Sequence, residues 1–243
     1  MTLRDLWQKG LFYVTVPTCV CCGDALREDD RALCSDCRRS YENMKARDCA
    51  RCFRPIHRCT CSCDVLDCHF VHRLIKVTRY IKRDADIPSN ALVYSLKKDN
   101  RLDVECFIAD EIFQSLSALD EHPQDAVFTH VPRRSSAVRH FGYDHARRLS
   151  LALARLSGAE HTTFFRSKAK HAQKEMHGTD RLQNAQIALR HRYRHTDLRG
   201  KRVYLVDDIV TTGASMSCAA MALHAMGAKE IIGVCFSIAY LDS

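Results

Sequence analysis

The sequence predicts an α/β protein: a mainly parallel sheet with helices on both faces, preceded by a small Cys-rich metal-binding module. Three observations carry this. From about residue 70 onward, short apolar runs that read as strands alternate with longer segments whose apolar residues recur at helical spacing, the pattern of strand–helix–strand crossovers. Of 14 cysteines, only Cys106, Cys218 and Cys235 lie beyond Cys68, so the first part of the chain is a different kind of structure. A buried-type apolar run at 203–206 leads straight into two aspartates and a Thr-Thr-Gly turn. These features divide the chain into a head, residues 1–68, and a body, residues 69–243.

In the body, residues 70–80 are rich in Val, Ile and Leu and read as a strand or hairpin arm. Residues 87–98 carry Ala91, Leu92 and Leu96 at helical spacing, and 102–119 repeat the period with Val104, Phe107, Ile108, Ile112 and Leu116. A strand over 126–131 stops at Pro132; a helix is expected over 143–156 and a short strand over 162–165. Residues 167–184 are polar and read as a loop. A strand at 202–206, a helix at 214–226 and a strand at 230–236 complete the order. Cys106, Cys218 and Cys235 sit in apolar periodic segments and are expected in the core.

The formal charge of +8, with 13 histidines besides, suits a polyanionic partner: nucleic acid or a small molecule with several phosphates. No stretch is apolar for long enough to cross a bilayer, and residues 1–17 mix Arg4, Asp5 and Lys9 into their apolar positions, unlike a secretory signal. The expectation is a cytoplasmic protein without membrane insertion, where cysteines bind metal in preference to forming disulfides.

The head shows four spacings. Cys19-x2-Cys22 with Cys34-x2-Cys37 is the two-knuckle pattern of a tetrahedral zinc site. Cys49-x2-Cys52 begins a second set, whose partner pair is open among Cys59, Cys61 and Cys63, with His57 as a further donor; the expected pair is Cys61 and Cys63. Cys21 and Cys68 are surplus to both sets. With few large apolar residues, the segment needs metal to fold. Its basic residues are largely offset by Glu28, Asp29, Asp30, Asp36, Glu42 and Asp48.

The chemistry concentrates at Val203-Tyr-Leu-Val-Asp207-Asp208-Ile-Val-Thr211-Thr212-Gly213-Ala214-Ser215. A strand delivers paired carboxylates to the carboxyl edge of the sheet, where ligands of open α/β sheets bind. The turn that follows opens a helix, and its hydroxyls, free amides and dipole make an anion cradle. Carboxylates accept hydrogen bonds from sugar hydroxyls and help hold magnesium; the cradle takes a phosphate. The pattern fits a phosphorylated ribose. Asp208 or Thr212 serving only as a helix cap would leave two adjacent charges with no purpose. Val131-Pro132-Arg133-Arg134 ends another strand with two guanidiniums, suited to a diphosphate, and Arg147 and Arg148 add positive field.

The 203–215 stretch resembles the motif with which type I phosphoribosyltransferases bind 5-phosphoribosyl-1-diphosphate (PRPP). Cysteine knuckles ahead of such a domain resemble the ComF family, bacterial proteins linked to competence for DNA uptake. Tyr94-Ser-Leu-Lys97, His130-Val-Pro132-Arg133 and Gly142-Tyr143-Asp144-His145-Ala resemble further elements of that family, and Arg166, Gln173, Arg181 and Asn184 resemble its flexible-loop residues. The family usually has Arg directly before the Gly-Tyr-Asp element; here it is Phe141, and Arg139 is the expected substitute. The resemblance implies PRPP as ligand, Mg2+ and Zn2+ as ions, Asp207 and Asp208 against the ribose, residues 211–215 on the 5-phosphate, and Pro132, Arg133, Arg134 and Lys97 at the diphosphate. Three roles remain open: a pentosyl-transfer enzyme, a single-stranded-DNA-binding protein with a basic zinc head, and a nucleotide-responsive regulator.

Overall fold

The computed structural model describes residues 16–49, 51–63, 66, 69–71, 73–81, 87–119, 123–167 and 187–239. Cys68, Gln173, Arg181 and Asn184 lie outside these residues. Helix α1 spans Ser35–Lys45 in the head. The body then runs β1 (Arg73–Arg79), α2 (Pro88–Lys98), α3 (Leu102–Ala118), β2 (Val127–His130), α4 (Ser135–Phe141), α5 (His145–Ser157), β3 (Glu160–His161), β4 (Phe165–Ser167), β5 (Ile187–Leu189), β6 (Arg202–Val210), α6 (Ala214–Ala225) and β7 (Glu230–Ile238). Five strands form one sheet in the order β1-β7-β6-β2-β3, all pairs parallel; β4 and β5 form a separate antiparallel pair.

Because successive strand residues face opposite sides, the sheet buries two separate clusters. Tyr204, Val206, Ile232, Val234 and Phe236 pack under α2, α3 and α5. Val203, Leu205, Ile231 and Cys235 pack under α6 together with Phe164 and Phe165. The predicted helices on both faces are therefore present. The strand expected over 162–165 does not form as such: β3 ends at His161 and β4 begins at Phe165, with no strand between them. β6 continues beyond the predicted 202–206 to Val210 because β7 pairs alongside it as far as Ile238. Among the three later cysteines only Cys235 is a core residue; Cys106 is exposed and Cys218 half-buried.

The head shares the body's core. Cys19, Leu26, Leu33 and Tyr41 belong to the same cluster as α3 and the sheet. Beside them the buried Glu111 carboxylate of α3 accepts hydrogen bonds from Arg38 (2.8 Å), Tyr41 (3.1 Å) and Lys45 (2.6 Å) of α1. A carboxylate this buried stays compatible with the fold because three donors replace water. Burial first, and Glu111 next, push the Tyr41 phenol well above its ordinary range, so it acts as a donor.

Candidate functional site

Asp207 and Asp208 lie within β6 and so point to opposite faces. Asp208, on the face of α2 and α5, is 5% exposed. Its Oδ2 lies 2.8 Å from Lys97 Nζ at the end of α2 and 3.1 Å from His145 Nε2 in the first turn of α5. Burial opposes ionisation of Asp208, but His145 and Lys97 outweigh it and hold the carboxyl well below the usual range. Asp207, half-buried on the other face, accepts the Asp208 backbone N–H at 2.9 Å. Burial and the neighbouring Asp208 charge push its carboxyl well above the usual range. The two acids are thus electrostatically unlike: one ionised and paired, one held toward its neutral form.

The turn leaves β6 with Thr211 exposed, Thr212 half-buried, Gly213 buried, Ala214 half-buried and Ser215 exposed. Gly213 caps α6 with φ of 77°, a left-handed conformation glycine adopts without strain. A Cβ there would also meet Cys63 Sγ and Leu66 Cγ at 2.9 Å each. The first-turn amides of α6 have no intrahelical acceptor, and Thr212 Oγ1 accepts one of them, from Ala214, at 3.4 Å. The floor of the cradle is therefore packed, while Thr211 and Ser215 face outward.

The loop after β2 is fixed by Asp144. Its Oδ2 accepts the Arg133 N–H at 2.9 Å and its Oδ1 accepts the Arg147 N–H at 3.2 Å, capping α5. Tyr143 donates its hydroxyl to the Leu96 carbonyl at 2.6 Å, joining this loop to the end of α2 beside Lys97. Pro132 is half-buried and Arg134 exposed. Arg133 stacks its guanidinium 4.6 Å from the Phe141 ring, so the aromatic residue supports the arginine. Arg139 is exposed on α4. The structure thus unites Lys97 and His145 with Asp208 and ties Tyr143 to the end of α2, while Arg133 is held by Asp144 and Phe141.

The cysteines gather into two sets whose Sγ atoms lie within 4.8 Å of one another: Cys19, Cys22, Cys34 and Cys37, and Cys49, Cys52, Cys59 and Cys61. An ion with four sulfurs at about 2.3 Å places them about 3.8 Å apart; Cys22–Cys34 at 3.6 Å and Cys52–Cys59 at 3.5 Å fit this. Burial opposes ionisation of Cys19, yet the backbone N–H groups of Cys22, Cys34 and Cys21 bring its thiol down to about 7. The second set corrects the expected one: Cys59 replaces Cys63. Cys63 instead points its thiol at the Thr212 carbonyl, 3.8 Å away. His57 is engaged with the Lys45 carbonyl at 2.9 Å.

Three residues escape the sequence reading. Cys59 is there one of several equivalent sulfurs. His145 enters only as part of a resemblance, without a partner. Lys76, a lone cation in an apolar strand, is fully buried and donates to the carbonyls of Cys61 (2.6 Å), Cys59 (3.1 Å) and Leu74 (3.2 Å). It also shares a face with Cys235 and Asp207 across β1, β7 and β6. A cation in an otherwise apolar strand is the signal that could have found it.

Among the described residues, no helix is long and apolar enough to cross a membrane. Comparison with solved structures finds a purine phosphoribosyltransferase from Pyrococcus horikoshii, 19% identical, covering 54% of this chain and 74% of that one, with a TM-score of 0.36. A hypoxanthine phosphoribosyltransferase from Staphylococcus aureus is 13% identical, covering 57% and 74%, with a TM-score of 0.35. A ribose-phosphate pyrophosphokinase from Thermococcus kodakarensis is 34% identical over 80 residues; the match spans 33% of this chain and only 23% of that protein's length. The family model described as phosphoribosyl transferase domain matches residues 139–239, which contain Asp207, Asp208 and the Gly213 turn.

Proposed function

We propose that residues 203–215 bind PRPP or a related phosphoribosyl ligand, and that the chain is a phosphoribosyltransferase-type protein with a zinc-binding head, residues 1–68, of the ComF kind. The observation that carries this reading is the acidic pair of β6 leading directly into the left-handed Gly213 turn at the start of α6. In this reading Asp207 and Asp208 receive the ribose hydroxyls and help hold magnesium, which would neutralise phosphoryl charge. Thr211, Thr212, Gly213, Ala214 and Ser215 receive the 5-phosphate. Pro132 shapes the loop where Arg133 and Arg134, with Lys97, meet the diphosphate. Pentosyl transfer would then proceed through positive charge at the ribose C1, opposite the ionised Asp208. The biological setting that fits the resemblance is DNA uptake or nucleotide metabolism. Zinc in each four-cysteine set would act as a folding staple.

Calorimetric titration with PRPP, with and without magnesium, tests the site; silence under both conditions overturns it. Diphosphate release with a panel of bases and amines separates an enzyme from a sensor. One observation favours a second reading, a non-catalytic single-stranded-DNA-binding factor. Phe53 is 79% exposed on the second knuckle, beside the exposed Arg54. An aromatic next to a cation is a stacking platform for bases. A gel shift that is lost in Phe53→Ala supports it; an unchanged shift removes it.

A further inference from the structure

Lys76 is the only lysine or arginine buried among the described residues, and it has no exposed surface at all. It lies in the middle of β1, between Ile75 and Val77. A lysine ammonium has three N–H donors, and all are used, on the carbonyls of Cys61 (2.6 Å), Cys59 (3.1 Å) and Leu74 (3.2 Å). No carboxylate pairs with it among the described residues. Carbonyl dipoles replace water around the ammonium but do not cancel its charge, and a buried charge with no opposite charge beside it is costly. Asp207 shares its face two strands away, across Cys235, but burial and Asp208 hold that carboxyl toward its neutral form.

The opposite charge belongs to the segment that Lys76 holds. Two of its three acceptors are the carbonyls of Cys59 and Cys61, half of the second four-cysteine set. The Thr60 carbonyl between them accepts the Leu74 N–H at 3.0 Å, so residues 59–61 lie against β1. Four thiolates around one divalent ion leave the centre negative overall. In this set Cys49 and Cys59 are fully buried, whereas Cys22 of the first set is exposed. Water can solvate the first centre from outside; the second needs a cation within the fold. Arg51, which donates to the Ser62 carbonyl, is exposed, and Arg79, which donates to the Asp48 carbonyl, is half-buried. Lys76 alone is closed off from water, where the field of a charge is least screened. Its charge is the strongest influence in favour of thiolate at Cys59, against the burial that opposes it.

We propose that Lys76 is the counter-charge of the second four-cysteine centre, and that it sets the preference of that centre for a divalent over a trivalent ion. The inference rests on the reading of these cysteines as a metal site and is independent of the reading of the 203–215 turn. A divalent ion leaves the tetrathiolate more negative than a trivalent ion does, and an ammonium on the ligand segment stabilises the more negative state.

The test uses the full chain loaded with zinc and titrated with a chelator, comparing wild type with Lys76→Met, which keeps a buried stem and removes the charge. One of the two ions should be released at a chelator concentration lower by about tenfold or more, the range in which loss of a partner outside the ligands weakens a metal site. The other should be unchanged. Cys59→Ser, which keeps only the first ion, identifies which is which. A role in packing alone would also loosen the segment, so the deciding readout is the reduction potential of the chain loaded with iron in place of zinc. Wild type should show two waves, and in Lys76→Met one should move to lower potential while the other stays. Lys76→Gln, also neutral, repeats both measurements should the methionine variant fail to fold. Unchanged zinc release, equal weakening of both ions, or two unmoved waves overturns the proposal and leaves the metal reading of the cysteines in place. A wild-type chain holding no ion at the second set overturns both.

Discussion

Replacing the two adjacent aspartates one at a time by asparagine should move stability in opposite directions. Asp208→Asn leaves Lys97 and His145 facing a neutral amide. The gross attraction between unit charges at the observed 2.8 Å is about 6 kcal/mol at an effective dielectric of about 20. Desolvation offsets part of this, and losing one member of a buried pair typically costs about 3–5 kcal/mol. The Lys97 side chain is 31% exposed and can turn to water, which favours the low end. A loss of about 3 kcal/mol corresponds to a fall in Tm of about 6–12 °C for a chain of this size. Asp207→Asn removes a carboxyl that burial and Asp208 disfavour in its charged form, and the amide oxygen can still accept the Asp208 N–H. It should stabilise at neutral pH by about 1 kcal/mol, as replacements in strained sites commonly do.

The pH dependence distinguishes the two. A carboxyl raised in the folded state loses stability as pH rises from its unfolded value toward its folded one, so the Asp207→Asn gain should vanish near pH 3. Asp208 is depressed, so its contribution is complete above about 3.9 and is lost only as pH falls through the lower folded value. Urea unfolding of the three proteins at pH 3 and pH 7 measures both effects. A destabilised Asp207→Asn at pH 7, or an Asp208→Asn equal to wild type there, refutes the electrostatic assignment.

Metal analysis should return two zinc ions per chain; Cys59→Ser should hold one and Cys63→Ser two, whereas loss of an ion in Cys63→Ser would reverse the assignment. Gly213→Ala should weaken PRPP binding and destabilise by at least about 1 kcal/mol, from left-handed strain plus the clash with Cys63 and Leu66; an unperturbed melt would show that the turn yields. His130 stays neutral in the fold down to about 4, whereas an unfolded imidazole takes up its proton near 6.5. Acidification between those values should therefore cost up to about 3 kcal/mol of stability, and His130→Gln should flatten that slope in pH-dependent urea unfolding.

The alternation of strands and helices and the acidic turn were legible because periodicity and an unusual residue pair are local signals. The length of β6 was not: two aspartates look like the start of a loop, and only pairing with β7 carries them inside a strand. Cys106 lies in an apolar helical segment, but its neighbours Val104, Phe107 and Ile108 occupy the inward face. Spacing limited the second metal set to Cys59, Cys61 or Cys63, and tertiary packing chose among them. The pairing of His145 and Lys97 with Asp208 joins three elements distant in the sequence, and no local pattern encodes such a meeting.

Cys63 sits two residues after the last sulfur of the second set, yet its thiol reaches a carbonyl 149 positions further along the chain. Lys76 clamps the same segment from beneath. The head is thereby a wedge under the turn that caps α6. An alteration at the knuckle, whether a lost ion or a bulkier side chain at position 63, is transmitted mechanically to Gly213, and defects that look like failures of ligand recognition can originate in the cysteine-rich end of the chain.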